Sequence, residues 1–112
     1  MTRKNIFWVG SSMRAFQALP ERARLRFSHD LDRVQGGNHP SSWRPMSTVG
    51  AGAAEMRVNA GGAFRLVYVA KYPEGIYVLH VFHKKSRKTS MLDHEVARAR
   101  LQAALRARGE RA

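Results

Sequence analysis

The sequence predicts a single α+β domain with a small, mainly antiparallel sheet, a helical hairpin before it and a helix after it, in the order β-α-α-β-β-β-α. Three observations predict this. Between residues 54 and 82, three apolar runs of strand length are separated by tight-turn signals. Residues 12–35 and 90–105 instead repeat their apolar positions at helical spacing. At 112 residues the chain can build one hydrophobic core but not two comfortable domains, so residues 1–112 are read as one unit.

Ile6-Phe7-Trp8-Val9 is β-branched and aromatic, and Gly10 ends it as a short first strand. Ser11 or Ser12 is then placed to cap a helix carrying Met13, Phe16 and Leu19. Pro20 suits the first turn of a second helix, whose expected apolar stripe is Leu25, Phe27, Leu31 and Val34 and whose stop is Gly36-Gly37. Residues 36–53 read as a long connection with Trp43 and Met46 as isolated apolar anchors. The first strand of the meander runs from Ala54 to Asn59 and turns at Ala60-Gly61-Gly62. The second covers 63–70 and turns at Tyr72-Pro73-Glu74-Gly75. The third covers 76–82 and is apolar on both faces, as a central strand should be. After a basic loop, Ser90-Met91-Leu92-Asp93 resembles a capping box with Asp in place of Glu. The final helix carries Leu92, Val96, Leu101 and Leu105 on one side and Arg98, Arg100, Arg106 and Arg108 on an expected outer face, with a frayed tail at about 109–112.

Composition narrows the function. Twenty Lys and Arg stand against eight Asp and Glu, a formal net charge of +12, within a chain that is 44% hydrophobic and therefore expected to fold. Nucleic acid is the first partner class for such a charge, an acidic protein the second and an anionic membrane surface the third. There is no cysteine, so disulfides and thiolate metal sites are excluded. The histidines at 29, 39, 80, 83 and 94 form no H-x-x-x-H or HExxH pair, so no metal or other cofactor is expected. The apolar run at residues 6–9 is too short for a signal-peptide core or a membrane span, and the expected location is cytoplasmic.

The positive charge gathers in three groups that hairpin pairing can bring together. Arg57 lies in the first meander strand, Arg65 in the second, and Lys84, Lys85, Arg87 and Lys88 follow the third. Alternation puts Arg65 on the face opposite Phe64, Leu66 and Tyr68, where a guanidinium can clamp a phosphate with two parallel hydrogen bonds. The plainer reading pairs Arg65 with Glu55 or leaves it in solvent. His80 and His83 can change protonation near neutral pH, though a residue like His80 is more often a satisfied core histidine than a catalyst, and His83 also reads as plain surface. The lysine run alone reads as solvated or as generic phosphate affinity.

Glu55-Met56-Arg57, then Gly62-Ala63-Phe64-Arg65-Leu66-Val67-Tyr68, then Val81-Phe82-His83-Lys84-Lys85-Ser86-Arg87-Lys88-Thr89 resembles, in that order, the RelE/HigB-like toxins of type II toxin–antitoxin systems, and most of all their phage-derived HigB-like branch. Phe16, Leu19-Pro20, Leu31, Gly36-Gly37 and Trp43-Arg44-Pro45-Met46 fit the same pattern, so the resemblance spans nearly the whole chain. It implies a RelE-like microbial RNase fold and a metal-independent endoribonuclease (an mRNA interferase). It also implies cleavage of mRNA in the ribosomal A site and neutralisation by a cognate antitoxin, in this branch usually a helix-turn-helix protein.

By motif, Arg57 and Arg65 match the active face, with Arg65 as phosphate clamp and Arg57 assisting. Lys84, Lys85 and Lys88 match the basic segment, which with Arg87 would bind RNA; His83, Lys84 or Lys85 would act as acid or base. Several relatives carry a tyrosine after the basic loop, where this chain reads Ser90-Met91-Leu92-Asp93, and Tyr68 and Tyr77 lie in strands. The alternative is a noncatalytic basic protein that binds RNA or an acidic partner. A DNA-binding module fits less well, because no helix-turn-helix pattern is present and the basic residues sit on strands and a loop.

Overall fold

The structure, a computed structural model describing residues 3–109, has the expected class with one additional strand. Its elements are β1 (Asn5–Trp8), α1 (Ser12–Gln17), α2 (Glu21–Gln35), β2 (Trp43–Pro45), β3 (Ala53–Asn59), β4 (Ala63–Val69), β5 (Gly75–Lys84) and α3 (Met91–Ala107). The tail expected to fray lies, at residues 110–112, outside the described residues. The five strands form one sheet in the order β1-β5-β4-β3-β2, with β1 parallel to β5 and every other pairing antiparallel. The apolar third strand of the meander is thus central, between β1 and β4, as its composition required.

Helices cover both faces. On one, Phe27, Leu31 and Val34 of α2 pack against Met56, Val58, Leu66 and Val78, with Trp8 and Phe16 closing the side near α1. On the other, Ala97 and Leu101 of α3 pack on Val67, Val69 and Leu79. Two residues assigned to these stripes from spacing lie outside them, since Leu25 is 58% and Leu92 69% exposed. The first gives way to Ala23 and the second to Ala97 and Ala104, because close helix–sheet contact at those turns favours small side chains.

The expected side-chain cap is absent at α1 and present at α3. Neither Ser11 nor Ser12 caps α1: Ser11 Oγ accepts from Arg100 and Ser12 Oγ donates to the Val78 carbonyl. At α3 the cap is made, with Ser90 Oγ accepting from Asp93 N at 3.1 Å and donating to Asp93 Oδ2 at 2.7 Å. The Arg-rich outer face of α3 is largely committed to structure. Arg98 donates to the Thr48 carbonyl, Arg100 to the Leu79 carbonyl, and Arg108 to Glu74.

The feature that positions the site is a bulge in β5. Val67 pairs with His80 and Tyr68 with Val78, so Leu79 is the extra residue. Tyr77, Leu79, His80 and Phe82 therefore all lie on the α3 side, and Val81 returns to the α2 side. Strict alternation from Tyr77 would have sent His83 to the α3 face and Lys84 away from it; the bulge exchanges them.

Candidate active site

Cross-strand register assembles the basic residues directly. Arg57 of β3 stands opposite Arg65 of β4, and Arg65 stands opposite Phe82 of β5. One row inward, Arg44 of β2 faces Glu55, which shares its row with Val67 and His80. One row outward, Lys84 pairs with Ala63. Paired residues share a face, so Arg44, Arg57, Arg65 and Lys84 converge on the α3 side of the sheet, just beyond the start of α3.

Their common neighbour is Glu55, which is fully buried. Its Oε1 lies 3.4 Å from Arg44 Nε and 3.7 Å from Arg65 Nε, while Oε2 accepts from Thr89 Oγ1 at 3.0 Å. Arg65 is 4% exposed and also donates through Nη1 to the Phe64 carbonyl at 2.8 Å. The pairing of Arg65 with Glu55, one of the two plainer readings, is therefore realised. Glu55 Oε1 and Arg65 Nε have no hydrogen bond between them and meet as charges across a slightly long gap. Arg44, half exposed, and the half-buried Arg57 and Lys84 complete the cluster nearer solvent.

Four cations around one carboxylate leave a surplus, and the surplus is felt. Burial pushes the Lys84 ammonium below the usual lysine range, and the positive charges of Arg65, Arg44 and Arg57 act the same way against the opposing pull of Glu55. Arg65 is shifted in the same direction, chiefly by burial, with Glu55 opposing. Deprotonation thus relieves repulsion at Lys84, which has an exposed side toward solvent and an aromatic neighbour, Phe82, on the same face.

The remaining sequence candidates separate from this cluster. His83 lies on the α2 face, stacked on Phe64 with ring centroids 4.8 Å apart. Lys85, Arg87 and Lys88 lie past the strand end in an exposed loop. That loop is fixed where it rejoins the fold, because Thr89 is tied to Glu55 and Asp93 to His80 at 2.7 Å. Burial lowers the His80 pKa while Asp93 raises it, and its Nδ1 is buried without a partner. Neither strand tyrosine reaches the cluster: Tyr68 is on the opposite face and Tyr77 bonds Glu74 at the other end of the sheet.

Sequence reading missed Arg44, Thr89 and the His80–Asp93 pair. The first depends on a three-residue strand with no periodic signal, and the others on long-range contacts. Among the described residues, no three His, Asp or Glu side chains cluster closely enough to hold a metal ion, and no helix is long and apolar enough to cross a membrane.

No curated protein matches the chain. The family model described as Phage derived protein Gp49-like (DUF891) matches residues 14–102, from α1 through most of α3 and across every residue of the cluster. By that match the chain belongs to the phage-derived Gp49-like family.

Proposed function

We propose that this chain is the toxin of a toxin–antitoxin pair, a RelE/HigB-like endoribonuclease that cuts mRNA on the ribosome without a metal. The observation that carries the reading is the convergence of Arg57, Arg65 and Lys84 on one sheet face around a single buried carboxylate. Membership in a phage-derived family and the ordered motifs support it.

The reaction needs three things from the protein. A base takes the proton of the ribose 2′-OH, which then attacks the adjacent phosphorus; this group is what distinguishes RNA from DNA. Cations neutralise the phosphorane, and the P–O5′ bond breaks as the leaving oxygen takes up a proton. Lys84, with its lowered pKa, is the base in this reading. Arg57 and Arg44 meet the phosphate from the solvent side. Arg65, sealed against Glu55, supplies field rather than a free clamp. Lys85, Arg87 and Lys88 hold the flanking backbone, and one of their cations or water protonates the 5′-oxygen. The partner proteins of the reading are the ribosome that presents the message and a helix-turn-helix antitoxin.

The test is an mRNA in a translation extract treated with wild type, Lys84→Met or Arg57→Ala. Loss of a general base is expected to slow cleavage by about 10²-fold or more. Loss of the Arg57 charge is expected to cost on the order of 10²-fold. With wild type the rate should rise with pH through a pKa below that of ordinary lysine, and Lys84→Met should lose that limb. Cutting by both variants at the wild-type rate would refute the assignment.

Two observations favour a second reading, binding without cutting: Arg65 is committed to Glu55, and Ser90–Asp93 supply no tyrosine. Intact message bound to the wild-type protein on ribosomes would establish that reading instead.

A further inference from the structure

A cavity of about 330 Å³ opens on the α2 side of the sheet, at the end away from the basic cluster. Val34, Ala54 and Ala70 give it apolar walls, and Trp43 forms one flank. Its dimensions are at the lower end of those that hold small ligands.

The flank is built rather than loose. The rings of Trp43 and His39 stack in parallel, with centroids 4.6 Å apart and planes 5° from parallel. The segment between them is tied to α2 at two points. The buried Asp30 carboxylate accepts from Ser41 N at 3.0 Å and Ser41 Oγ at 2.9 Å, and Arg33 Nε donates to the His39 carbonyl at 2.9 Å. A loop held this way presents its indole without an ordering cost on binding.

Lys4, Tyr68 and Lys71 give the cavity donors, beside the amide of Asn38 and the ring of His39. Tyr68 lines it and is 5% exposed. Burial, and secondarily the nearby Asp30, pushes this phenol up to about 12, so it stays protonated at any physiological pH. Lys4 gives one proton to the Ala70 carbonyl and keeps two others. Lys71 is exposed at the rim, its ammonium 5.3 Å from the Tyr72 ring centroid. Among the described residues no carboxylate lines the cavity. A nearly buried phenol in the cavity wall offers a hydrogen bond to an acceptor atom placed there.

We infer that this cavity binds a small anion bearing a planar ring, of the nucleoside monophosphate class. The ring would rest along Trp43 and the apolar walls, the dianionic phosphate would be met by Lys4 and Lys71, and an acceptor atom would take the Tyr68 proton. Two ammonium groups match the double charge, and the volume accommodates a base with part of its sugar. The site does not depend on the nuclease reading, since Tyr68 and Ala54 lie on the opposite face from Arg57 and Lys84.

Trp43 supplies the readout. In a Trp8→Phe background it is the only tryptophan, and the Trp43 indole resonance of the wild-type chain serves where that background does not fold. Adenosine monophosphate is expected to quench Trp43 saturably with a Kd on the order of 1 mM or tighter. Adenosine and inorganic phosphate, each offering half of the chemistry, should bind about tenfold more weakly or worse. Tyr68→Phe, which keeps the ring, should weaken binding by roughly 2- to 12-fold, the worth of one hydrogen bond, and Lys71→Gln by a similar factor. Absence of saturable quenching by any nucleoside monophosphate, or affinity unchanged in both variants, would overturn the proposal. The titration reads this cavity whether or not the chain cuts RNA.

Discussion

The α3 side of the sheet has two ends that treat charge in opposite ways. At the covered end, Val67, Val69 and Leu79 lie under Ala97 and Leu101, and the nearby arginines are spent on structure. Arg100 donates to the carbonyl of the bulged Leu79, and Arg108 grips Glu74 with Nε at 2.6 Å and Nη2 at 3.1 Å. At the other end, Arg44, Arg57, Arg65 and Lys84 surround one carboxylate at longer range. The difference teaches that arginine count does not locate a site. What locates it is cation left over once structural acceptors are assigned, and in this molecule the surplus is on β3, β4 and β5, not on α3.

The sharpest way to break the comparison is Glu55→Gln. It keeps the shape but leaves Arg65 buried with its countercharge gone, and removing one partner of a buried pair costs about 3–5 kcal/mol. Urea unfolding measures it, and a loss below about 1 kcal/mol, the range of an exposed pair, would mean that water already screens the cluster. At the covered end, Leu101→Ala removes an apolar contact instead of a charge. It should cost about 3 kcal/mol, with cleavage per folded molecule unchanged.

The smallest effect is the pH dependence of the half-buried Arg108–Glu74 clasp. Hydrogen bonds from Arg108, and next from Tyr77, lower the Glu74 pKa from 4.5 to about 2. A depressed carboxylate pKa stabilises the fold fully above its unfolded value and loses that contribution as pH falls through the folded one. The denaturation midpoint of wild type should therefore exceed that of Glu74→Gln at neutral pH. The gap should close between about 4.5 and about 2.

The elements were legible where a single physical signal governed them. The β3–β4 turn followed from Ala60-Gly61-Gly62, and Gly61 indeed adopts φ +75°. The α3 start followed from Ser90 and Asp93, and the central place of β5 from its two apolar faces. Where two signals competed, sequence reasoning went astray. Nothing in residues 75–84 announces a bulge, yet that one extra residue decides whether His83 or Lys84 joins Arg57 and Arg65. Strand β2 is three residues long and contains proline, so it carries no alternation to detect. The Arg57–Arg65 pairing was legible because hairpin neighbours pair. The burial of Arg65 was not, because it depends on Glu55 and Thr89 brought from elsewhere in the chain.

The third residue of β2 has one more effect. Arg57 N donates to the Ser42 carbonyl and Met46 N to the Ala53 carbonyl, so residues 42 and 46 direct their hydrogen-bonding groups inward. By alternation Trp43 and Pro45 direct theirs outward, and Pro45 has no N–H to offer. The β2 rim of the sheet therefore presents a single amide donor over that stretch, which makes this edge a poor template for another chain to extend.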